Sequence, residues 1–240
     1  MDFKEFKEYE AGDELRHIDW RVSAKKGSLY IKKFIEEREI TVILLCDISN
    51  STLFGSENQL KRELATEFCA SIAFSCIKNN DKIGLLLFSD KIETFIEPKK
   101  SKVHVIKLLK SLVSSTYKKT NSTTTDLNKP LELINKLYKK RIVVFLLSDF
   151  LTNNFEKELK ITSAKHDLIS VLIKDKREYD LPKVGLIEVM DIETNKKYLI
   201  DSNSNKIRDA WKNKVIKQEE DIISLLEKNK IDLIKLNTDE

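Results

Sequence analysis

Four short aliphatic runs, at residues 41–46, 83–88, 142–147 and 168–173, carry almost no polar residue on either side of the chain. A strand with one wet face alternates polar and apolar positions, whereas a run that is apolar throughout belongs to a strand covered on both faces. Between the runs lie stretches of helical length. One, at 59–78, places Leu60, Leu64, Phe68, Ile72 and Cys76 four residues apart, and others fall at 103–113, 127–138 and 155–165. That spacing sets the apolar residues on one helix face. Buried strands alternating with helices predict a Rossmann-like α/β fold, a mostly parallel sheet with helices on both faces. A short alternating run at 91–96 follows 83–88 across Ser89-Asp90, a hairpin signal. Weaker strands are expected at 186–190 and 198–201, then a charged helix at 206–228 and a last apolar stretch at 231–236.

Residues 1–38 read differently. They are polar and irregular, with turn signals at Gly12-Asp13 and Gly27-Ser28 and weak alternation from Tyr30 to Phe34. We therefore assign 1–38 to an arm or hairpin and 39–240 to the α/β domain, with Arg16, Asp19 and Arg21 as a buried ion-pair network fixing the arm. The 43 basic and 39 acidic residues leave a net charge of +4 and alternate along most segments, which gives no footprint for nucleic acid. No apolar run approaches the roughly 18 residues of a membrane span, and Met1-Asp2-Phe3-Lys4-Glu5 opens no signal peptide. Cys46, Cys69 and Cys76 form no Cys-x-x-Cys pair and sit among apolar neighbours, as buried reduced thiols do. The expectation is a soluble, cytoplasmic protein without a membrane span.

In such a sheet, ligands collect at the carboxyl ends of the strands. The first run ends in Asp47-Ile48-Ser49-Asn50-Ser51 and the third in Ser148-Asp149-Phe150; between them a hydroxyl-rich loop carries Thr123-Thr124-Thr125-Asp126. If the two strands are neighbours, Asp47 and Asp149 face one point, with Ser49, Ser51 and Thr125 around it. Two carboxylates and three hydroxyls are hard oxygen ligands, suited to Mg²⁺ or Mn²⁺. Such a shell leaves a position open for a further oxygen, for example a carboxylate from another protein. Two alternatives use the same residues. In one, the hydroxyls and carboxylates only cap helices and tie loops, and recognition uses another surface. In the other, Asp47, Asp126 and Asp149 serve a Mg-dependent nuclease or phosphohydrolase. That enzyme has no obvious base or lysine in its loops, since His17, His104 and His166 lie away from them in sequence. A haloacid dehalogenase-type phosphatase needs a second carboxylate where Ser49 stands, and there is no Gly-x-Ser-x-Gly elbow or phosphate-binding loop.

Asp47-x-Ser49-x-Ser51, then Thr125, then Asp149 resembles the metal-ion-dependent adhesion site of von Willebrand factor A domains. The run from Tyr9 through Asp13, Arg16 and Asp19 to Trp20, with Ala24-Lys25-Lys26-Gly27, resembles the signature of a bacterial family called domain of unknown function fifty-eight. So do Leu147-Ser148-Asp149-Phe150, His166-Asp167 and Leu181-Pro182-Lys183-Val184-Gly185. The resemblance covers residues 3–236 and implies a von Willebrand factor A-type domain with a short N-terminal extension. It also implies a metal set in which Ser49 and Ser51 coordinate directly, Thr125 directly or through water, and Asp47 and Asp149 largely through water. Members of that family are typically paired with MoxR-type AAA+ ATPases. The implied function is a non-enzymatic, cation-dependent interaction module that binds such an ATPase or its client in a chaperone-like or regulatory assembly. The chain departs from its relatives at Thr123 and Thr124, where small glycines are usual, and at Phe150, where adhesion-type domains carry Gly.

Overall fold

A computed structural model describes residues 2–35, 39–55, 59–117, 124–190 and 197–239, in two units, Met1–Glu39 and Ile40–Glu240. In the first, β1 (Asp2–Glu8) pairs antiparallel with β2 (Tyr30–Ile35), and α1 (Trp20–Lys26) lies in the connection. The helix starts where Asp19 Oδ1 accepts the Arg21 and Val22 N–H groups at 3.0 and 3.1 Å. It stops at Gly27, whose φ of 77° suits a residue without Cβ. The buried network expected of Arg16, Asp19 and Arg21 does not form. Arg16 pairs with Glu14 in the open, while Asp19 gives one oxygen to the helix cap and the other to Lys32 at 2.8 Å. Two backbone N–H groups without helical partners have the first claim on a carboxylate at that position.

The second unit contains β3 (Thr41–Asp47), α2 (Lys61–Lys78), β4 (Lys82–Phe88), β5 (Ile92–Lys99), α3 (Lys102–Thr116), α4 (Asn128–Leu137) and β6 (Val143–Ser148). It continues with α5 (Glu156–Lys165), β7 (Asp167–Lys174), α6 (Lys176–Tyr179), β8 (Leu186–Met190), β9 (Lys197–Asp201), α7 (Asn205–Lys228) and β10 (Asp232–Asn237). Six strands form one sheet in the order β10-β7-β6-β3-β4-β5, parallel throughout except for β5. Alternate residues of β3 enter opposite cores. Val42, Leu44 and Cys46 join Ala65, Cys69 and Ala73 of α2 and Leu108 and Leu112 of α3. Ile43 and Leu45 join Leu131 and Ile134 of α4, Leu159 of α5 and Leu226 of α7. Both faces are thus covered, as the uninterrupted aliphatic runs require. All three cysteines are buried and unpaired, and no helix among the described residues is long and apolar enough to cross a membrane.

The face of α2 differs from the expected one. Ala65, Cys69, Ala73 and Cys76 are buried, whereas Leu64, Phe68 and Ile72 pack only partly buried beside them. Small side chains let the helix lie close to the sheet, and the larger ones flank the contact, Phe68 meeting Phe145 edge-on at 5.9 Å.

The connections define where a site can form. From β3 the chain moves to β4 and β5 on one side; from β6 it moves to β7 and β10 on the other. The helices after β3 and β6 therefore leave in opposite directions, and a crevice opens between the carboxyl ends of these two strands.

Candidate functional site

Asp47 ends β3 and Asp149 follows β6, which puts both carboxylates in that crevice, 2% and 0% exposed. Asp47 Oδ1 accepts the Ser49 N–H at 2.8 Å, and Oδ2 accepts the Ser148 hydroxyl at 2.7 Å. Ser148 in turn accepts the Phe150 N–H at 3.0 Å. The Ser49 and Ser51 hydroxyl oxygens lie 3.0 Å apart, and Ser51 also hydrogen-bonds to Asp149. Four of the five expected residues are therefore brought together. Phe150 has a φ of 55°, a left-handed conformation that costs a residue with a Cβ about 1–2 kcal/mol. Burial of its ring, 5.9 Å from Phe155, offsets that cost.

Thr125 reaches the same edge by its backbone. Its carbonyl accepts the Thr152 hydroxyl at 2.7 Å, and the next residue's N–H donates to Ser89 O at 2.9 Å. Among the described residues no side-chain hydrogen bond ties Thr125 to the other four. Thr123 lies outside the described residues. Asp126 faces its own helix, accepting the Asn128 N–H at 2.9 Å and pairing with Lys129 at 3.4 Å. The carboxylate trio of the hydrolase alternative is thus not assembled. No three carboxylate, imidazole or thiol side chains among the described residues converge as a metal cage.

The centre of the cluster holds a cation from the chain itself. Lys61 Nζ donates to Asp149 Oδ2 at 2.8 Å and to Glu178 Oε1 at 2.5 Å, with its side chain 1% exposed. Burial opposes an ammonium ion here, but the two carboxylates more than offset it and raise the Lys61 pKa. Burial likewise opposes an ionised Asp149; Lys61, then Lys174 and Ser51, outweigh it and hold its pKa below the usual carboxylate range. Among the described residues no lysine ammonium pairs with Asp47, and burial together with Asp149 pushes it up to about 6. Lys61 pairs with Asp149 and Glu178, Lys174 lies beside Glu178, and the Arg62 guanidinium interacts electrostatically with Asp47.

Arg62 supports the loop that presents the serines. Its guanidinium donates to Ile48 O and Ser49 O at 2.5 and 2.7 Å, to the Thr52 hydroxyl at 3.0 Å and to Ser115 O at 2.9 Å. Buried carbonyls that bend away from the strand are satisfied in this way. Lys61, Arg62, Ser148, Lys174 and Glu178 were not expected from the sequence. One signal was present: Lys61-Arg62 opens α2, where the helix dipole disfavours positive charge, so two cations there imply anionic or carbonyl partners from elsewhere in the fold.

Comparison with known proteins places these features in context. A family model described as "Protein of unknown function DUF58" matches residues 5–221. Uncharacterized proteins of Mycobacterium tuberculosis and Mycobacterium bovis are 26% identical over 187 residues, which is 78% of this chain and 59% of each relative. The chain thus spans 59% of the length of the curated relatives it matches. Two solved structures are similar in fold. BatB, a conserved hypothetical protein of Bacteroides thetaiotaomicron, has a TM-score of 0.50 at 15% identity, over 82% of this chain and 90% of that one. An aerotolerance-related membrane protein of Bacteroides fragilis has a TM-score of 0.52 at 16% identity, over 82% and 91%.

Proposed function

We propose, from the premise that this chain belongs to the DUF58 family of proteins of unknown function, that it is a non-enzymatic interaction module of the von Willebrand factor A type. It offers the carboxyl edge of its sheet to another protein. The observation that carries this reading is the convergence of Asp47, Ser49, Ser51 and Asp149 at the crevice between β3 and β6, while Asp126 is engaged by its own helix. The oxygen set suits Mg²⁺ or Mn²⁺ in kind. It suits them in spacing as well, because hydroxyls 3.0 Å apart match neighbouring corners of an octahedron with bonds of about 2.0–2.1 Å. Ser49 and Ser51 would hold the ion, Asp47 would supply a carboxylate, and Asp149 would remain with Lys61. Bound there, the ion supplies an open position for a partner's carboxylate. The family resemblance suggests a MoxR-type AAA+ ATPase, or its client, as that partner.

Calorimetric titration with Mg²⁺ and Mn²⁺ tests this reading, run beside Asp47→Ala and Ser49→Ala. Saturable binding lost in both variants, with partner capture abolished by a chelator, is the expected result. Partner binding that survives Asp47→Ala rules out the metal bridge. The Lys61 ammonium favours one second reading, in which the edge is complete without a metal and Lys61 is its resident cation. An absence of binding heat in the wild type selects that reading.

A further inference from the structure

Beside Lys61 the edge opens into a cleft of about 840 Å³, walled by the β8–β9 hairpin and α7. That volume lies within the range of ligand pockets, roughly 300–1,000 Å³. Ile187 and Val189 of β8 and Ile200 of β9 project from one face of the hairpin toward Trp211 and Val215 of α7. The walls are mostly apolar, although Arg177 and, on α7, Lys214 and Gln218 also line them. The inner end is not, because Ser51, Lys61, Lys174 and Glu178 line it, the groups of the edge itself. Lys174 is 4% exposed, and its ammonium makes no hydrogen bond among the described residues. Its only ion pair there, Glu178 Oε2, lies at 3.9 Å, beyond hydrogen-bond distance. Asp149 and Glu219 also act on this ammonium, but the cleft lining itself holds Lys61, Lys174, Arg177 and Lys214 against the one carboxylate of Glu178, an excess of positive charge along an apolar cleft.

The hairpin adds a second requirement. Among the described residues β8 and β9 pair as strands only with each other, so within that set each keeps an outer edge without a strand partner. Such an edge is a template for another polypeptide. We infer that this cleft receives an apolar polypeptide segment of the partner, which carries one carboxylate that reaches Lys174. The inference rests on the reading of the edge as an interaction surface and names the chemistry of what docks there. A fatty acid would satisfy the apolar walls and Lys174 but would leave the strand edges unpaired. Glu178 couples the two regions: its carboxylate holds Lys61, and its carbonyl accepts the Trp211 indole N–H at 2.8 Å.

Trp211 also provides the readout, because the chain has two tryptophans and Trp20→Phe leaves Trp211 as the sole emitter. The probes are a library of ten-residue peptides with one fixed glutamate among Leu, Ile, Val, Phe and Ala, the same library with glutamine instead, and dodecanoate. We expect glutamate peptides to bind and shift Trp211 emission, with glutamine counterparts about tenfold weaker. Ile200→Asp should abolish binding without altering the circular dichroism spectrum or melting temperature. If Ile200→Asp melts early, Ile187→Ser with the glutamate–glutamine comparison carries the test. Binding lost in Ile200→Asp but retained with EDTA and in Asp47→Ala supports the cleft while the metal bridge fails. Chelator-sensitive binding that Ile200→Asp leaves untouched overturns the cleft and keeps the edge. Binding of dodecanoate but no peptide overturns the inference, as does a library without any binder.

Discussion

Lys61 is the residue on which the edge turns. A buried ammonium is tolerated because two carboxylates meet it at 2.8 and 2.5 Å, and removing one partner of such a group leaves the others desolvated and unpaired. Lys61→Met should therefore lower stability by about 3–5 kcal/mol. Millimolar Mg²⁺ or Mn²⁺ should restore part of that loss if the edge accepts a divalent ion, since the variant exposes one more carboxylate to it. Thermal melts of the variant with and without the ions check both statements, and equal loss in every condition argues for the metal-free edge. His166 makes a second prediction. It is buried, neither ring nitrogen has a hydrogen-bond partner among the described residues, and burial, then Lys165 and Arg141, lower its pKa. The folded state thus binds its proton less readily than the unfolded chain. The stability contributed by the neutral ring is complete above an unfolded pKa of about 6.5 and is lost as pH falls below it. Asp47 works in the opposite sense. Its folded pKa of about 6 lies above the ordinary aspartate value of 3.8, so its contribution grows as pH falls through 6. His166→Leu should remove the first trend alone, and denaturant midpoints between pH 7.5 and pH 5 should fall less steeply in the variant than in the wild type.

Among the elements, β4 shows how tightly the sheet is built beside the site. Gly84 lies where the β4–β5 register shifts, and a Cβ added there would sit 2.9 Å from Ile96 O and 3.0 Å from Pro98 N. Both obstacles are backbone, so Gly84→Ala should push β5 outward and cost about 1–3 kcal/mol, measurable by urea denaturation, with cation titration unchanged. The elements themselves were largely legible in the sequence, because a strand covered on both faces must be apolar at every position. Residues 41–46, 83–88, 142–147 and 168–173 match β3, β4, β6 and β7 with ends within one residue. The pairing of β3 with β6, which sets Asp47 beside Asp149, was only a condition in the sequence, because apolar runs do not determine which strands are neighbours. What periodicity missed was carried by small or charged side chains. The sheet-facing side of α2 is made of Ala65, Cys69 and Ala73, whose short side chains give a weak apolar signal next to Leu64 and Phe68. Lys61 and Arg62 were hidden because a charge in sequence suggests solvent until its partners, here from β6, α3 and α6, are placed around it. Thr125 illustrates the opposite limit: the sequence put it at the correct edge, but its side-chain contacts depend on a loop whose shape no periodicity encodes.

For the whole molecule, the two units differ in how much apolar surface each buries. Both core clusters draw only on residues 42–236, whereas Ile31 is the one buried apolar residue among those described in Met1–Glu39. A hairpin with a seven-residue helix and, among its described side chains, one buried aliphatic residue offsets little of its chain entropy, and segments below about 40 residues rarely fold without a staple. The boundary is closed from within the larger unit, where Ile40 N–H donates to Asp81 Oδ1 at 3.0 Å and Ile40 O accepts the Lys82 N–H at 2.9 Å. A fragment of residues 40–240 should therefore unfold cooperatively with its helical signal intact, while a peptide of residues 1–39 should remain unstructured in water. Circular dichroism melts of both, with amide spectra of the peptide, decide the matter. If the larger fragment lacks a cooperative transition, the hairpin contributes to the core. If it folds and still titrates with Mg²⁺, the cation edge is a property of the sheet alone, and the signature around Asp13, Arg16 and Trp20 must serve some other contact.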